Sequence, residues 1–204
     1  MSQIHRLSQY DIKEILSRHK PSIEPKPDGY KSASVLIPFY SQPDGLSIVF
    51  MKRPDYPGAH GDQISFPGGA RDDLDQDDRY TSLRETEEEI GISRETIEIW
   101  GRLKTEHTSV SRYWISPFVG SIPYPSSFAP DDNEVERLLI IPLKHLMNPE
   151  HFSIDTYNWK GFSFPSYLYK YKRDVIWGLT ARILFNLISL LTTGKESDSR
   201  WPPA

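Results

Sequence analysis

The sequence contains no cysteine. Disulfide bonds, thiolate metal ligands and a cysteine nucleophile are therefore excluded together. Long apolar runs are also absent, because the most apolar segment, residues 176–191, is interrupted by Thr180, Arg182 and Asn186. A membrane-spanning helix needs about 20 predominantly apolar residues, so we expect a packed helix here and no membrane partner. Residues 1–20 contain no apolar stretch typical of a signal peptide, which predicts a cytoplasmic location.

The chain has no excess of positive charge. It has 24 Lys and Arg residues and 28 Asp and Glu residues, which gives a formal net charge of -4. Binding along a nucleic-acid backbone requires a basic surface, so no nucleic-acid partner is expected. A small anionic substrate is still compatible with this balance, because a bound metal ion can supply positive charge. The length of 204 residues suits one domain with a sizeable core.

The order of the predicted elements indicates an α+β fold with a mixed sheet between helices. Helices are predicted at residues 11–19, 77–90, 142–147 and 178–191. Strands are predicted at residues 34–40, 46–51, 63–66, 96–104, 114–122, 135–141 and 167–171, and the glycines after residue 66 are expected to end the third of them. The predicted organisation is an N-terminal helix and linker arm at 1–30, one domain at 31–193, and a mobile tail at 194–204.

The helix predicted at residues 77–90 carries an unusual cluster of acids. Glu85, Glu88 and Glu89 stand at positions i, i+3 and i+4, so they share one face of the helix. Like charges at this spacing repel, and acids near the C-terminal end of a helix oppose its dipole. A hard divalent cation with oxygen ligands would offset both effects. The three glutamates are therefore candidate metal ligands and candidate catalytic residues.

A run of glutamates on a helix is more often a solvated face, so the neighbouring residues have to decide between the two interpretations. Gly68 and Gly69 allow the backbone to approach a ligand closely and free carbonyl groups to point at it. Asp75, in the connecting loop, can form a bidentate pair with Arg84 and hold that loop on the helix. Together these features favour a metal site.

The segment at residues 66–92, FPGGARDDLDQDDRYTSLRETEEEIGI, resembles the signature of the Nudix hydrolase family. That signature is Gly, five residues, Glu, seven residues, then Arg-Glu-aliphatic-any-Glu-Glu-any-Gly-aliphatic. Residues 84–92 match its second half, except that Thr86 stands at the aliphatic position. In the first half Asp75 replaces the glutamate, and eight residues separate it from Arg84. The resemblance implies a Nudix-like α/β/α sandwich with a central mixed sheet, and metal-dependent hydrolysis of a pyrophosphate bond.

Both departures are similar to the coenzyme A pyrophosphatase branch of the family. Its upstream pattern is approximately Leu-Leu-Thr-any-Arg-Ser followed by His-any-Gly-Gln-(Ile/Val)-any-Phe-Pro-Gly-Gly. Residues 49–54 (VFMKRP) and 60–69 (HGDQISFPGG) are similar to it, with agreement at Arg53, His60 and Gln63. The chain departs where the branch has threonine, serine and glycine, at Met51, Pro54 and Asp62. The resemblance implies coenzyme A or a derivative as substrate, with 3′,5′-ADP and 4′-phosphopantetheine or its derivative as products.

The resemblance also assigns roles to residues of the signature. It implies that Mg²⁺ or Mn²⁺ is held by Glu85, Glu88, Glu89 and the carbonyl group of Gly68. Structural support of the site is assigned to Asp75, Arg84 and Gly69.

Residues outside the signature are candidates with two interpretations each. Family members often use a further loop acid as a base or extra ligand; Glu134 is the candidate here, and it can equally be an acid that caps a turn. Glu106 is a poorer candidate for the same role. Arg53 can bind a substrate phosphate or be a surface arginine at a strand end. His60 and His107 are expected to make loop hydrogen bonds rather than catalyse.

Two other hypotheses are kept open by the sequence. The enzyme could act on ADP-ribose, a nucleotide sugar or a dinucleoside polyphosphate, which changes the substrate but not the chemistry. A protein of another class, a Nudix-like domain that binds nucleotides without turnover, is less compatible with the intact set of Glu85, Glu88 and Glu89. The oligomeric state is left open between a monomer and a homodimer.

Overall fold

The computed structural model describes residues 7–55, 61–108, 111–159 and 162–197; for residues 157–159 and 162–164 the backbone alone is described. The helices are α1 (Gln9–Arg18), α2 (Asp78–Ile90), α3 (Leu143–Leu146) and α4 (Gly178–Thr193). The strands are β1 (Lys31–Gln42), β2 (Gly45–Lys52), β3 (Ile64–Ser65), β4 (Gly68–Ala70), β5 (Glu98–Arg102), β6 (Glu106–His107), β7 (Tyr113–Ile122), β8 (Arg137–Pro142), β9 (Phe152–Trp159), β10 (Phe162–Tyr171) and β11 (Asp174–Ile176).

Strand β1 organises the larger sheet. It pairs in parallel with β7 on one edge and antiparallel with β2 and β4 on the other. Strand β2 then pairs antiparallel with β3 and β8, and β7 pairs antiparallel with β5 and β6. The predicted mixed sheet is therefore confirmed.

The two faces of β1 contribute to two separate cores, because successive side chains of a strand point to opposite faces. Ile37 and Phe39 lie in the core that α1 and α4 complete, whereas Leu36 and Tyr40 lie in the core beneath α2. Helix α2 thus covers one face of the sheet, and α1 and α4 cover the other. This is an α/β/α sandwich, so the predicted fold class is confirmed. Among the described helices, none is both long enough and apolar enough to cross a membrane.

Two regions contain more strand than their sequence predicts. A single strand was predicted at residues 167–171, but β9, β10 and β11 form a second, antiparallel sheet. Pro165 obscured this sheet, since proline cannot donate a ladder hydrogen bond. It is tolerated because β11 pairs only with Tyr169–Tyr171 and leaves β10 a single partner at Pro165. The strand predicted at residues 63–66 ends at Ser65, before the glycines, but the glycines themselves form a further strand, β4.

Both ends of the described chain pack on the domain. In α1, Ile12 and Leu16 are buried in the core, and Ser8 and Asp11 form a capping box at its start. The tail predicted to be mobile from residue 194 has a packed beginning. Glu196 accepts hydrogen bonds from the backbone N–H of Lys104 at 2.9 and 3.0 Å, and its Oε1 lies 2.6 Å from Nε2 of His19. Polar composition alone does not reveal such a buried partner; residues 198–204 lie outside the described part of the chain.

Candidate active site

Gly68 and Gly69 form one wall of the site. They pair with Val35 and Ser34 of β1. A Cβ atom on Gly68 would lie 2.3 Å from the carbonyl oxygen of Ser34, and one on Gly69 would lie 2.5 Å from the carboxylate carbon of Glu85. A side chain at Gly68 would overlap the backbone of β1, and one at Gly69 would displace the Glu85 carboxylate from this wall.

The hydrogen bonds of β4 leave Gly68 directed away from β1. Leu36 N–H donates to the Pro67 carbonyl and Arg71 N–H donates to the Ser32 carbonyl, each at 2.9–3.0 Å. In an antiparallel pair such bonded positions alternate, so the polar groups of Gly68 are not used in pairing with β1. Its N–H donates to Oε2 of Glu89 at 2.7 Å. The Gly68 carbonyl, which the family resemblance implies as a metal ligand, is by the same alternation not hydrogen-bonded to β1.

Glu89 is the deeply buried acid of α2, with 2 % of its side chain exposed. Besides the Gly68 N–H, it accepts a hydrogen bond from Nη2 of Arg53 at 2.9 Å. Burial raises the pKa of Glu89 to about 8, and the negative charges of Glu85 and Glu134 act in the same direction. The Gly68 N–H and Arg53 oppose this rise but do not cancel it. More negative charge is buried here than the neighbouring positive groups offset.

Glu85 lies one turn before Glu89 and faces the same wall of glycines. Burial raises its pKa, and Glu88 and Glu134 add to the effect while Arg84 opposes it. Nη1 of Arg84 lies 2.9 Å from Oε1 of Glu85. Glu85 and Glu89 are therefore two carboxylates in an environment that disfavours their ionised form.

Arg84 ties the loop before α2 to the helix. Its Nε and Nη2 donate to the two carboxylate oxygens of Asp75 at 2.9 Å each, which is the bidentate pair that the sequence predicted. Nη2 also donates to the carbonyl oxygen of Ala70 at 3.1 Å. Asp75 further accepts from Thr81 Oγ1 at 2.8 Å. Hydrogen bonding from Arg84 holds the pKa of Asp75 far below its ordinary value.

Glu88 is much more exposed than the other two glutamates. Its side chain is 56 % exposed and accepts a hydrogen bond from Nη1 of Arg84 at 2.8 Å. Across the described residues, no three acidic, histidine or cysteine side chains converge as a set of metal ligands. Instead, Arg84 contacts both Glu85 and Glu88 through Nη1, and Arg53 binds Glu89. The donor set nevertheless fits a hard cation, because Glu85 and Glu89 offer carboxylate oxygens whose mutual repulsion a divalent ion would relieve.

Glu134 reaches the site because its loop packs on the end of α2. The backbone N–H groups of Ala129 and Asp131 donate to the carbonyls of Ile90 and Glu89, each at 3.1 Å. Gly91 permits this contact, since its φ is +72° and a Cβ would lie 2.6 Å from Ala129. Oε2 of Glu134 lies 3.7 Å from Nη1 of Arg53. The sequence revealed Gly91 only as a helix end and gave no sign that a distant loop docks there.

The remaining candidates lie elsewhere. Glu106 is buried in a cluster with α4, where its Oε2 lies 2.8 Å from Nη2 of Arg182 and its Oε1 accepts from Asn186 Nδ2 at 2.7 Å. The ring of His107 stacks on Trp114 with ring centroids 5.6 Å apart. Both are therefore accounted for by packing and pairing away from α2. His60 lies outside the described residues.

The fold and the site together define a sandwich domain with a carboxylate-rich helix end that suits a divalent cation and phosphate oxygens. The NUDIX domain model matches residues 31–159. The chain is also 35% identical over 158 residues to the uncharacterized Nudix hydrolase NudL of Yersinia pestis and of Yersinia pseudotuberculosis, covering 77% of this chain and 78% of theirs. The chain belongs to the Nudix hydrolase family.

Solved structures with a similar fold include an Ap4A hydrolase of C. elegans, at TM-score 0.47 and 17% identity over 56% of this chain and 81% of that one. The NUDIX domain of Shewanella oneidensis NrtR in complex with ADP ribose is similar at TM-score 0.46 and 17% identity, over 66% of this chain and 84% of that one. Family membership makes the protein a pyrophosphohydrolase that cleaves a pyrophosphate bond in a nucleotide derivative. Nudix hydrolases generally need divalent metal cations.

Proposed function

We propose that the substrate is coenzyme A or one of its derivatives. The observation that carries this proposal is the contact between the upstream pattern typical of the coenzyme A branch and the Nudix signature. Arg53 and Gln63, two positions of that pattern, are joined by a backbone hydrogen bond of 2.9 Å from the Arg53 N–H to the Gln63 carbonyl. The side chain of Arg53 then contacts Glu89 of the signature. A pattern distant in sequence thus forms part of the same site.

The ion would be Mg²⁺ or Mn²⁺, and Glu85, Glu89 and the carbonyl group of Gly68 would hold it. Glu88, whose hydrogen bond to Arg84 is exposed, would be a further ligand. When bound, the ion supplies positive charge to the diphosphate oxygens and lowers the pKa of water. Asp75, Arg84 and Gly69 support this arrangement without touching the substrate.

Arg53 binds a phosphate of the substrate and holds Glu89 at the same time. A guanidinium group has five N–H donors, so the single bond to Glu89 leaves others for phosphate oxygens. Glu134, half exposed and directed toward Arg53, accepts the proton of the attacking water. Water attacks one phosphorus, the bridging P–O bond breaks, and the bridging oxygen leaves with the second phosphate. From coenzyme A the products are 3′,5′-ADP and 4′-phosphopantetheine.

The test is a substrate panel with either Mg²⁺ or Mn²⁺, with products identified by mass. The panel contains coenzyme A, an acyl derivative of it, ADP-ribose, a nucleotide sugar and a dinucleoside polyphosphate. We expect the highest kcat/KM for coenzyme A or its derivative, and no product in the presence of a chelator. Cleavage of another compound with coenzyme A left intact would overturn the substrate assignment and leave the family assignment standing.

Water labelled with ¹⁸O sharpens the result. The label enters whichever product carries the attacked phosphorus, so its mass tells which end of the diphosphate lies against Arg53 and Glu134. Glu134→Gln is expected to slow turnover by on the order of a hundredfold if this residue accepts the proton. A loss below threefold would remove Glu134 from that role.

A further inference from the structure

Lys52, the last residue of β2, forms two ion pairs beside the site. Its Nζ lies 2.5 Å from Oδ1 of Asp62 and 3.2 Å from Oε2 of Glu136. Hydrogen bonds to Asp62 and then Glu136 raise the pKa of Lys52, so the ammonium group remains charged. We call Lys52, Asp62 and Glu136 the lysine clamp. Its members are not among the candidate metal ligands or the substrate-binding residues.

The clamp joins the two segments that flank the end of β2. On one side, Glu136 N–H donates to the Lys52 carbonyl at 2.8 Å. On the other side, Asp62 N–H donates to the Pro54 carbonyl at 3.2 Å. Arg53 follows Lys52 directly, and Glu134 precedes Glu136 by two positions. One ammonium group therefore connects the segments that carry Arg53 and Glu134.

Asp62 combines a backbone conformation that favours glycine with a side chain that Lys52 binds. Its φ is +60°, a left-handed conformation that favours glycine and that aspartate tolerates better than most residues. The coenzyme A branch pattern has glycine at this position. This chain keeps the conformation that suits glycine and adds a carboxylate, which Lys52 holds. The ion pair offsets part of the cost of placing a side chain there.

We propose that Lys52 is a positioning residue for pyrophosphate hydrolysis, which holds Arg53 against Glu89 and keeps Glu134 within reach of Arg53. The proposal rests on the roles proposed above for Arg53 and Glu134, but not on coenzyme A as the substrate. Lys52 acts through these neighbours and does not touch the substrate. Because Glu134 accepts the proton and Arg53 holds Glu89 as well as the phosphate, loss of the clamp lowers kcat more than it changes KM.

The matched variants are Lys52→Met, Lys52→Arg and, as a control, Lys13→Met. Lys13 forms a comparable ion pair, with Nζ 2.6 Å from Oε2 of Glu98, between α1 and β5. With the best substrate of the panel, Lys52→Met is expected to lower kcat about tenfold and to leave KM within about twofold. Lys52→Arg is expected to retain at least half of the parent kcat, and Lys13→Met to retain all of it.

Two substitutions at Asp62 separate charge from backbone conformation. Asp62→Gly suits the positive φ and Asp62→Asn tolerates it, but both remove the carboxylate, so both are expected to lower kcat about threefold. In the double variant Lys52→Met/Asp62→Asn the loss is expected to be no larger than in Lys52→Met alone, because the two residues act as one pair. Full additivity of the two losses would contradict the clamp.

Hydrogen exchange gives a readout that does not depend on any substrate. Lys52→Met is expected to speed deuterium uptake in the peptides that cover residues 48–54 and 131–139, and Lys13→Met to leave both unchanged. A kcat of Lys52→Met within twofold of the parent would overturn the proposal. So would no rescue by Lys52→Arg, or an increase in exchange spread evenly over the domain. None of these outcomes bears on which diphosphate is cleaved.

Discussion

Glu89 of α2 and Glu106 of β6 are both buried, but their charges are balanced to different degrees. Glu106 has Arg182 and Asn186 as partners, so its charge is paired at close range. Glu89 has Arg53 and the Gly68 N–H, but Glu85 and Glu134 act against it and its pKa is raised to about 8, first of all by burial. A buried acid by itself therefore does not mark a site. Glu89 is the metal-binding candidate because the negative charge buried around it exceeds the positive charge of its partners, whereas the charge of Glu106 is balanced by Arg182.

Neutralising Glu89 is the most direct test of the difference between Glu89 and Glu106. Glu89→Gln is expected to lower kcat/KM by on the order of a thousandfold, because a charged group that stabilises the transition state is lost. Its melting temperature is expected to stay at or above that of the parent, since an amide is cheaper to bury than a carboxylate with a raised pKa. Kinetics and thermal unfolding measure the two effects. Equal activity in variant and parent would remove Glu89 from the mechanism.

The same substitution at Glu106 is expected to give the opposite pattern. Glu106→Gln leaves Arg182 buried without its carboxylate, which costs about 3 kcal/mol of unfolding free energy in pairs of this kind. Activity per folded molecule is expected to be unchanged, because Glu106 is paired with Arg182 and Asn186 of α4 and not with residues of the site. Urea unfolding together with active-fraction measurements tests both statements. The double variant Glu106→Gln/Arg182→Met is the control, and it should recover part of the lost stability.

The sequence predicted the parts of this comparison that depend on local spacing. The i, i+3, i+4 spacing placed the three glutamates on one face of the predicted helix, and Gly68, Gly69, Asp75 and Arg84 were recognised around it. The sequence could not show that Glu88 turns outward to Arg84, because helical spacing places Cβ atoms on one face but does not fix the rotamers of long side chains. It ranked Glu134 above Glu106, but it could not show that Glu106 is paired with Arg182 and Asn186 of α4.

Long-range pairing explains what else was missed. The sheet formed by β9, β10 and β11, and the buried Glu196, depend on contacts between segments that are not adjacent in sequence. The fold class was still predictable, because the periodicity of the main strands and helices and the Nudix signature do not depend on these missed contacts. The second sheet, the docking of the Glu134 loop on α2 and the positions of side chains at the site needed the structure.

Asp75 is a third buried acid beside the site, and both of its carboxylate oxygens accept hydrogen bonds. Asp75→Asn removes the bidentate pair with Arg84 and is expected to lower stability by about 2 kcal/mol at neutral pH. Because Arg84 lowers the pKa of Asp75 in the folded state, this stability is present above the ordinary value of about 4 and is lost as the pH falls below it. Urea unfolding at several pH values should therefore show a flatter acid limb for Asp75→Asn. An unchanged acid limb would contradict the assigned pairing.

The smallest effect is expected at Glu88, which shares the helix face of Glu89 but not its burial. Its hydrogen bond to Arg84 is solvent-exposed, and exposed pairs contribute at most about 1 kcal/mol. Glu88→Gln is therefore expected to leave stability within about 1 kcal/mol of the parent and to lower kcat/KM by about tenfold at saturating Mg²⁺, with a weaker apparent affinity for the ion. A titration of activity against Mg²⁺ separates the two contributions. If Glu88→Gln were as damaging as Glu89→Gln at saturating Mg²⁺, burial would not be what distinguishes the acids of this face, and the comparison would have to be drawn by position along α2 instead.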